Sequence, residues 1–218
     1  VIENETYDRL TKMANPETRE DYIGIPSGIG DLDKMITGLN KSDLIILGAR
    51  PGMGKTSFAL NIATNVAKSS KKAVAIFSLE MSAEQLVTRI ISSEAMVDSH
   101  NLRTGQLDTK DWENIADVIT SLSGCDILID DTSAITTTEM KSKLRRVKNL
   151  GLVVIDYIGL MQTTSKSDNR AQQVGEISRN LKIMAKDFGV PFICCAQLNR
   201  GTESRPGQGK RPTLADLR

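Results

Sequence analysis

Histidine occurs once in this 218-residue chain and cysteine three times, with no C-x-x-C pair. A Cys/His zinc site has too few ligands at the wrong spacing. Aromatic residues make up 4% of the chain, which argues against a module that binds single strands by stacking bases. An excess of either charge is also missing: 28 Lys and Arg face 27 Asp and Glu, a net charge of +1. The molecule as a whole therefore carries no basic footprint for nucleic acid, although a local basic stripe stays open. No apolar run approaches the roughly 18 residues of a membrane span, and no signal peptide is present, so no membrane partner is expected. Cys194 and Cys195 lie inside an apolar run and Cys125 precedes another. They read as reduced core residues of a cytoplasmic protein. The chain opens on Val1 rather than Met and is read as a piece of a longer protein.

What is present is a regular alternation. Apolar runs at Leu44–Leu47, Ala73–Phe77, Ile127–Ile129, Leu152–Ile155 and Val190–Ala196 are short, continuous and rich in Ile and Val. Strands of a parallel sheet covered on both faces read this way. Between them, helices are expected over Ser57–Lys68, Ala83–Met96, Lys110–Leu122, Thr138–Lys148 and Asn169–Phe188. The last carries Val174, Ile177, Leu181, Met184 and Phe188 as one stripe. The fold class is α/β, a mostly parallel sheet with helices on both faces, and ligands are expected beyond the carboxyl ends of its strands. Upstream, residues 1–14 have helical spacing and end at Asn15-Pro16, followed by a polar linker. That segment is either a frayed end or a helix that docks on a neighbour.

The chemistry begins at Ala49-Arg50-Pro51-Gly52-Met53-Gly54-Lys55-Thr56. It follows a strand and opens a helix, the setting a phosphate-binding loop requires. Gly52 and Gly54 let backbone N–H groups face phosphates, and the helix N-terminus adds a favourable dipole. Arg50, Pro51, Gly52, Met53, Gly54, Lys55, Thr56 and Ser57 are thus the expected nucleotide-binding residues, with Lys55 reaching the β- and γ-phosphates and Thr56 ligating Mg²⁺. Ala49 stands where the strict pattern has its first Gly. Just upstream, Asn40-Lys41-Ser42-Asp43 matches the guanine-reading tetrapeptide N-K-x-D, but it precedes the first strand and so approaches the sheet from the end opposite the nucleotide. It reads as a turn, and ATP is the expected nucleotide.

Acids at strand ends come next. Asp156 ends Leu152-Val153-Val154-Ile155 and is the expected Mg²⁺-holding acid; Asp130 ends the shorter run Ile127–Ile129 and is the decoy. Glu80 follows the second strand, where it either polarises the attacking water as general base or complements the dipole of the helix that starts near Ser82. Gln197 ends the fifth strand and is either a γ-phosphate sensor or an ordinary loop amide. Lys141–Lys148 has five basic residues in eight, and is better read as the solvated face of a helix than as a nucleic-acid patch. Arg170, Arg200, Lys210, Arg211 and Arg218 lie at loops that leave strand ends and are the candidate DNA-phosphate contacts.

Together these residues resemble the RecA-type motor domain of the bacterial replicative DNA helicases, the DnaB family. The resemblance is carried by Ile25-Pro26-Ser27-Gly28 with Asp31-Leu32-Asp33 and Gly38-Leu39, then by GARPGMGKTSFALNIA (48–63), FSLEMSAEQL (77–86), VVIDYIGLM (153–161), EISRNLKIMAKDFGVP (176–191), QLNR (197–200) and RPTLADLR (211–218). It implies a RecA-like P-loop NTPase core at 28–218, incomplete at its C-terminal end, preceded by a linker helix and linker at 1–27. It implies catalytic roles for Glu80, Lys55 and Gln197, metal binding by Thr56 and Asp156, and ATP with Mg²⁺. It further implies a DNA 5′-3′ helicase that works as a homohexamer on single-stranded DNA at the replication fork, with primase and a helicase loader as partners. Two readings compete: another RecA-fold ATPase of recombinase type, and a nucleotide-dependent assembly module without turnover. The join at Lys148-Asn149-Leu150-Gly151 is a few residues shorter than the resemblance leads one to expect.

Overall fold

A computed structural model of the chain describes residues 2–15, 23–162 and 170–198. Its centre is a five-stranded sheet of order β1-β5-β4-β2-β3, in which every pairing is parallel. The strands are β1 (Leu44–Ala49), β2 (Ala73–Ser78), β3 (Ile127–Asp130), β4 (Leu150–Asp156) and β5 (Phe192–Gln197). All five expected strands form. The three central ones are buried along almost their whole length, which is why they read as unbroken apolar runs. The edge strands β1 and β3 alternate in exposure, and Leu128 on β3 is 46% exposed.

Period-two alternation splits the core into two layers. Ala75, Phe77, Val153, Ile155, Phe192 and Cys194 face one cluster, packed by Ile177, Leu181 and Met184 of α8 (Arg170–Phe188) and by Met140 and Leu144 of α7 (Thr137–Leu144). Val74, Ile76, Leu152, Val154, Ile193 and Cys195 face the other, covered by Ala59, Ala63, Val66 and Ala67 of α3 (Lys55–Ser70) and by Leu86 and Ile90 of α4 (Ala83–Ala95). The small residues of α3 let that helix sit close to the central strands. The adjacent thiols Cys194 and Cys195 consequently point to opposite faces of the sheet.

Helix starts follow local chemistry. Ser82 with Gln85, Asp108 with Asp111 and Thr136 with Glu139 each form a capping box, at the heads of α4, α6 (Thr109–Leu122) and α7. Helix α7 stops at Leu144 instead of running to Lys148: Arg145 already lies outside it, and Asn149, at φ 51°, turns the chain directly into β4. Two short helices are not evident from periodicity, α2 (Gly30–Ile36) and α5 (Ser99–Thr104). The first helix, α1 (Ile2–Ala14), presents Tyr7 and Leu10 to solvent. Ahead of α2, Ile25 bridges Leu39, buried Ser27 donates its N–H to Asp33, and Asn65 of α3 donates to the Ser27 carbonyl. These contacts fasten residues 25–39 to the α3 side of the sheet.

Candidate nucleotide site

Parallel strands bring all their carboxyl ends to one edge, so residues far apart in sequence meet there. Register fixes the meeting: Ala49 lies beside Gln197, and Ser78 beside Asp156. Between Ala49 and α3 runs the glycine loop. Gly52 and Gly54 have φ of 77° and 79°, which an L side chain resists, and a Cβ on either would point into open space. Gly54 caps α3 without any side-chain hydrogen bond, and the first turn of α3 holds no acid. The opening N–H groups of this 16-residue helix have no intrahelical acceptor. This is an anion cradle of backbone donors and helix dipole.

Lys55 and Thr56, the first two residues of α3, both turn to Asp156. Thr56 Oγ1 donates to Asp156 Oδ2 at 2.5 Å, and Lys55 Nζ lies 3.1 Å from Asp156 Oδ1. Asp156 is 3% exposed. Among the described residues its Oδ1 nevertheless accepts no aligned hydrogen bond: the ammonium is near as a charge but out of hydrogen-bond alignment with it. A buried carboxylate oxygen left without a donor is costly unless something else takes its lone pair. A hydroxyl and a carboxylate, both hard oxygen donors, with one carboxylate oxygen unclaimed, fit a hydrated Mg²⁺. Asp130 is differently placed, on the edge strand β3, where it pairs with Lys143 and accepts from the N–H and hydroxyl of Thr132. Burial opposes its ionisation, but these hydrogen bonds and the Lys143 charge outweigh burial and hold its pKa below the usual value. The structure thus brings Asp156, and not Asp130, to the glycine loop.

Glu80 is exposed and stands just beyond the Ser78–Asp156 register pair. Buried Ser78 shapes this corner, with its hydroxyl donating to Met81 O at 2.7 Å and accepting from Met81 N at 3.2 Å. The alternative role of Glu80 is filled by other residues: Ser82 caps α4, and Asp131 Oδ2 accepts the Ala83 N–H at 2.9 Å. Gln197, half-buried, ends β5 beside Ala49. The tetrapeptide Asn40–Asp43 lies at the opposite edge. Asn40 donates to the carbonyls of Ile36 and Gly38 at the end of α2, and Asp43 O accepts from Phe192 N at the start of β5. It is a turn that feeds β1, far from the glycine loop.

Of the basic residues in the run Lys141–Lys148, only Lys141 and Lys143 lie on α7, which ends at Leu144, and both are consumed by ion pairs, Lys141 with Asp187 and Lys143 with Asp130. Of the candidate DNA contacts, Arg170 opens α8 and only its backbone is described, whereas Arg200, Lys210, Arg211 and Arg218 lie outside the described residues. Sequence reasoning passes over two neighbours of the site. Cys195 sits on the α3 face of β5 beside Asp156. Burial, then the Asp156 charge, push its thiol up to about 12, with the Lys55 charge opposing and a side-chain hydrogen bond with Asp156 adding a smaller rise. Tyr157 places its ring against Lys55, with Nζ 4.6 Å from the centroid. The available signal is an aromatic residue directly after the strand-end acid with a glycine two positions later, and it carries meaning only once Lys55 is known to cross that strand end.

The family model described as the DnaB-like helicase C-terminal domain matches residues 24–218. Among curated proteins, the chain is 48% identical over 218 residues to the replicative DNA helicase DnaC of Bacillus subtilis, covering 98% of this chain and 47% of that protein. It is 43% identical over 224 aligned residues to the replicative DNA helicase DnaB of Haemophilus influenzae, again covering 47% of the relative. The chain therefore spans about half the length of these relatives. Among solved structures, one described as an ATPase domain superposes with a TM-score of 0.83 at 33% identity, covering 90% of this chain and 71% of that one. A DnaB-like replicative helicase described with its primase interactions superposes with a TM-score of 0.82 at 33% identity, covering 89% of this chain and 49% of that one.

Proposed function

This chain belongs to the DnaB-like helicase C-terminal domain family, and we propose that it is the ATP-driven motor of a replicative DNA helicase. Its fold is the RecA-like α/β core of that family. The observation that carries the reading is the convergence of Lys55, Thr56 and Asp156 at the head of α3, beneath an uncapped anion cradle.

The reaction is in-line attack of water on the γ-phosphate of ATP, and the protein's part is positioning and charge. The N–H groups of residues 52–57 and the dipole of α3 bind the phosphate chain. The Lys55 ammonium, shared here with Asp156, neutralises charge on the β- and γ-phosphates. Glu80, exposed and held past β2 by the Ser78 turn, accepts a proton from the attacking water. Gln197, at the neighbouring strand end, donates its amide to the γ-phosphate and loses that partner when phosphate leaves. Thr56 and Asp156 would hold Mg²⁺, which when bound supplies further charge neutralisation on the phosphates. The nucleotide is ATP, since the one guanine-like tetrapeptide is spent on a turn.

In the whole protein this motor works as a ring hexamer that moves 5′ to 3′ along single-stranded DNA at the fork in the bacterial cytoplasm. The linker segment at its N-terminal end docks on the next subunit, and primase and a loader are partners. The relatives' names and a neighbour described with primase support this reading. A forked duplex with either a 5′ or a 3′ tail tests it in the intact protein. ATP-dependent unwinding that needs the 5′ tail is expected; filaments that pair strands without unwinding would replace the proposal with the recombinase reading.

A further inference from the structure

Tyr157 directly follows the strand-end acid, and its ring face lies under the Lys55 ammonium at 4.6 Å from the centroid. The same Nζ is 3.1 Å from Asp156 Oδ1, yet among the described residues that oxygen receives no aligned hydrogen bond. Two consecutive residues at the end of β4 therefore share one cation, one by charge and one by the negative face of its ring. The ammonium is not turned fully onto the carboxylate.

The ring is held from other directions as well. It packs against the core cluster on the α3 side of the sheet. The chain then enters a short 3-10 turn, Ile158–Leu160, in which Leu160 donates its N–H to Tyr157 O at 3.1 Å and Ile158 is 2% exposed. Space for the ring exists because residue 159 is glycine: a Cβ there would stand 2.6 Å from Tyr157 Cε2 and 3.1 Å from Cδ2. A side chain at 159 would push the ring off its place.

We propose that Tyr157 is a positioning residue for Lys55. Its ring face holds the ammonium toward the glycine loop and keeps it from closing into a fully hydrogen-bonded ion pair with Asp156. Gly159 is the spatial condition for that arrangement. The consequence is double. Lys55 remains exchangeable toward a phosphate, and Asp156 Oδ1 keeps a lone pair for a cation. Without the ring, the lysine and the acid satisfy each other, and the nucleotide must break that pair to bind. The inference rests on the reading of Lys55 as the phosphate-binding lysine.

The test is a double-mutant cycle on the intact protein, with Mg²⁺ and a fluorescent non-hydrolysable ATP analogue as the probe and thermal unfolding as the control for folding. Tyr157→Leu is expected to weaken binding about tenfold, the scale of a partly desolvated cation–π contact. Tyr157→Phe keeps the ring and is expected to stay within about twofold of the wild type. Gly159→Ala, which displaces the ring without deleting it, is expected to weaken binding in the same direction as Tyr157→Leu. In a Lys55→Ala background, Tyr157→Leu should cost nothing further, because the ring acts through the lysine. A fully additive loss in the cycle, or a Tyr157→Phe defect as large as that of Tyr157→Leu, overturns the proposal. Undiminished binding by Tyr157→Leu where Lys55→Ala abolishes it overturns this inference alone. Undiminished binding by Lys55→Ala itself overturns the reading of the site.

Discussion

Replacing Asp156 by Asn separates what this residue does for the fold from what it does for the nucleotide. A unit charge pair at 3.1 Å is worth about 5 kcal/mol gross at an effective dielectric near 20. Against that stands the desolvation of a carboxylate that is 3% exposed, a penalty of several kcal/mol per buried ion. Among the described residues its Oδ1 also lacks an aligned donor, a deficit of about 1–3 kcal/mol. These contributions nearly cancel, and the amide oxygen of Asn can still accept from the Thr56 hydroxyl. Ligand-free stability should therefore change by less than about 2 kcal/mol, below the roughly 3–5 kcal/mol of a fully buried pair that loses one partner, because the Lys55 side chain is 13% exposed and its ammonium can turn to solvent. The ligand response should change far more. A ligand at a hundred times its Kd stabilises by about 2.7 kcal/mol, which in a domain of this size raises Tm by about 5–10 °C. For the wild type, a non-hydrolysable ATP analogue should give a larger rise with Mg²⁺ than with EDTA. For Asp156→Asn the two rises should coincide. The assay is thermal unfolding in all four conditions. A variant that keeps the full Mg²⁺-dependent increment would refute the assignment of Asp156 as the metal-holding acid. A variant that loses more than about 4 kcal/mol without ligand would show instead that the pair is chiefly structural.

Further outcomes follow from the same geometry. Among the three thiols only Cys125 is partly accessible, since Cys194 and Cys195 are buried and burial pushes both their pKa values up. A thiol reagent at neutral pH should label one cysteine rapidly in the native protein and three in denaturant; fast labelling of two or three in the native protein would contradict the sheet placement. Asp130→Asn should leave nucleotide binding intact and cost about 1 kcal/mol, a value discounted because Lys143 is half in solvent. The folded pKa of Asp130 lies below its ordinary 3.8, so its contribution is present above that pH and lost as pH falls through the folded value. Urea unfolding of wild type and variant should therefore converge in acid; a gap that persists there would point to packing as the cause.

The sequence discloses the core strands because each is covered on both faces, and a strand such as β4 then has no polar alternation to obscure it. It discloses the glycine loop because dihedral demands and anion binding call for few residue types in fixed order. The short helices escape because Gly30–Ile36 and Ser99–Thr104 complete at most two turns, too few for a 3.6-residue period to declare itself. Sequence reading carries α7 past its true end because its basic residues favour helix locally, whereas the need to begin β4 at Leu150 is a demand of the sheet. Within the site, the choice between Asp156 and Asp130 is legible in strand length. The neighbours Tyr157 and Cys195 are not, since their meaning depends on β4, β5 and the head of α3 coming together, and no local pattern encodes that crossing.

The proposed function couples ATP hydrolysis at this strand edge to movement on DNA, with Glu80 as the group that activates water. The deciding measurement is ATP turnover by the intact protein, with and without single-stranded DNA, for the wild type and Glu80→Gln. DNA is expected to stimulate wild-type turnover, and the variant to bind the nucleotide normally but turn it over about 10²–10⁴-fold more slowly. Turnover indifferent to single-stranded DNA, or a Glu80→Gln variant that hydrolyses ATP at the wild-type rate, would contradict it.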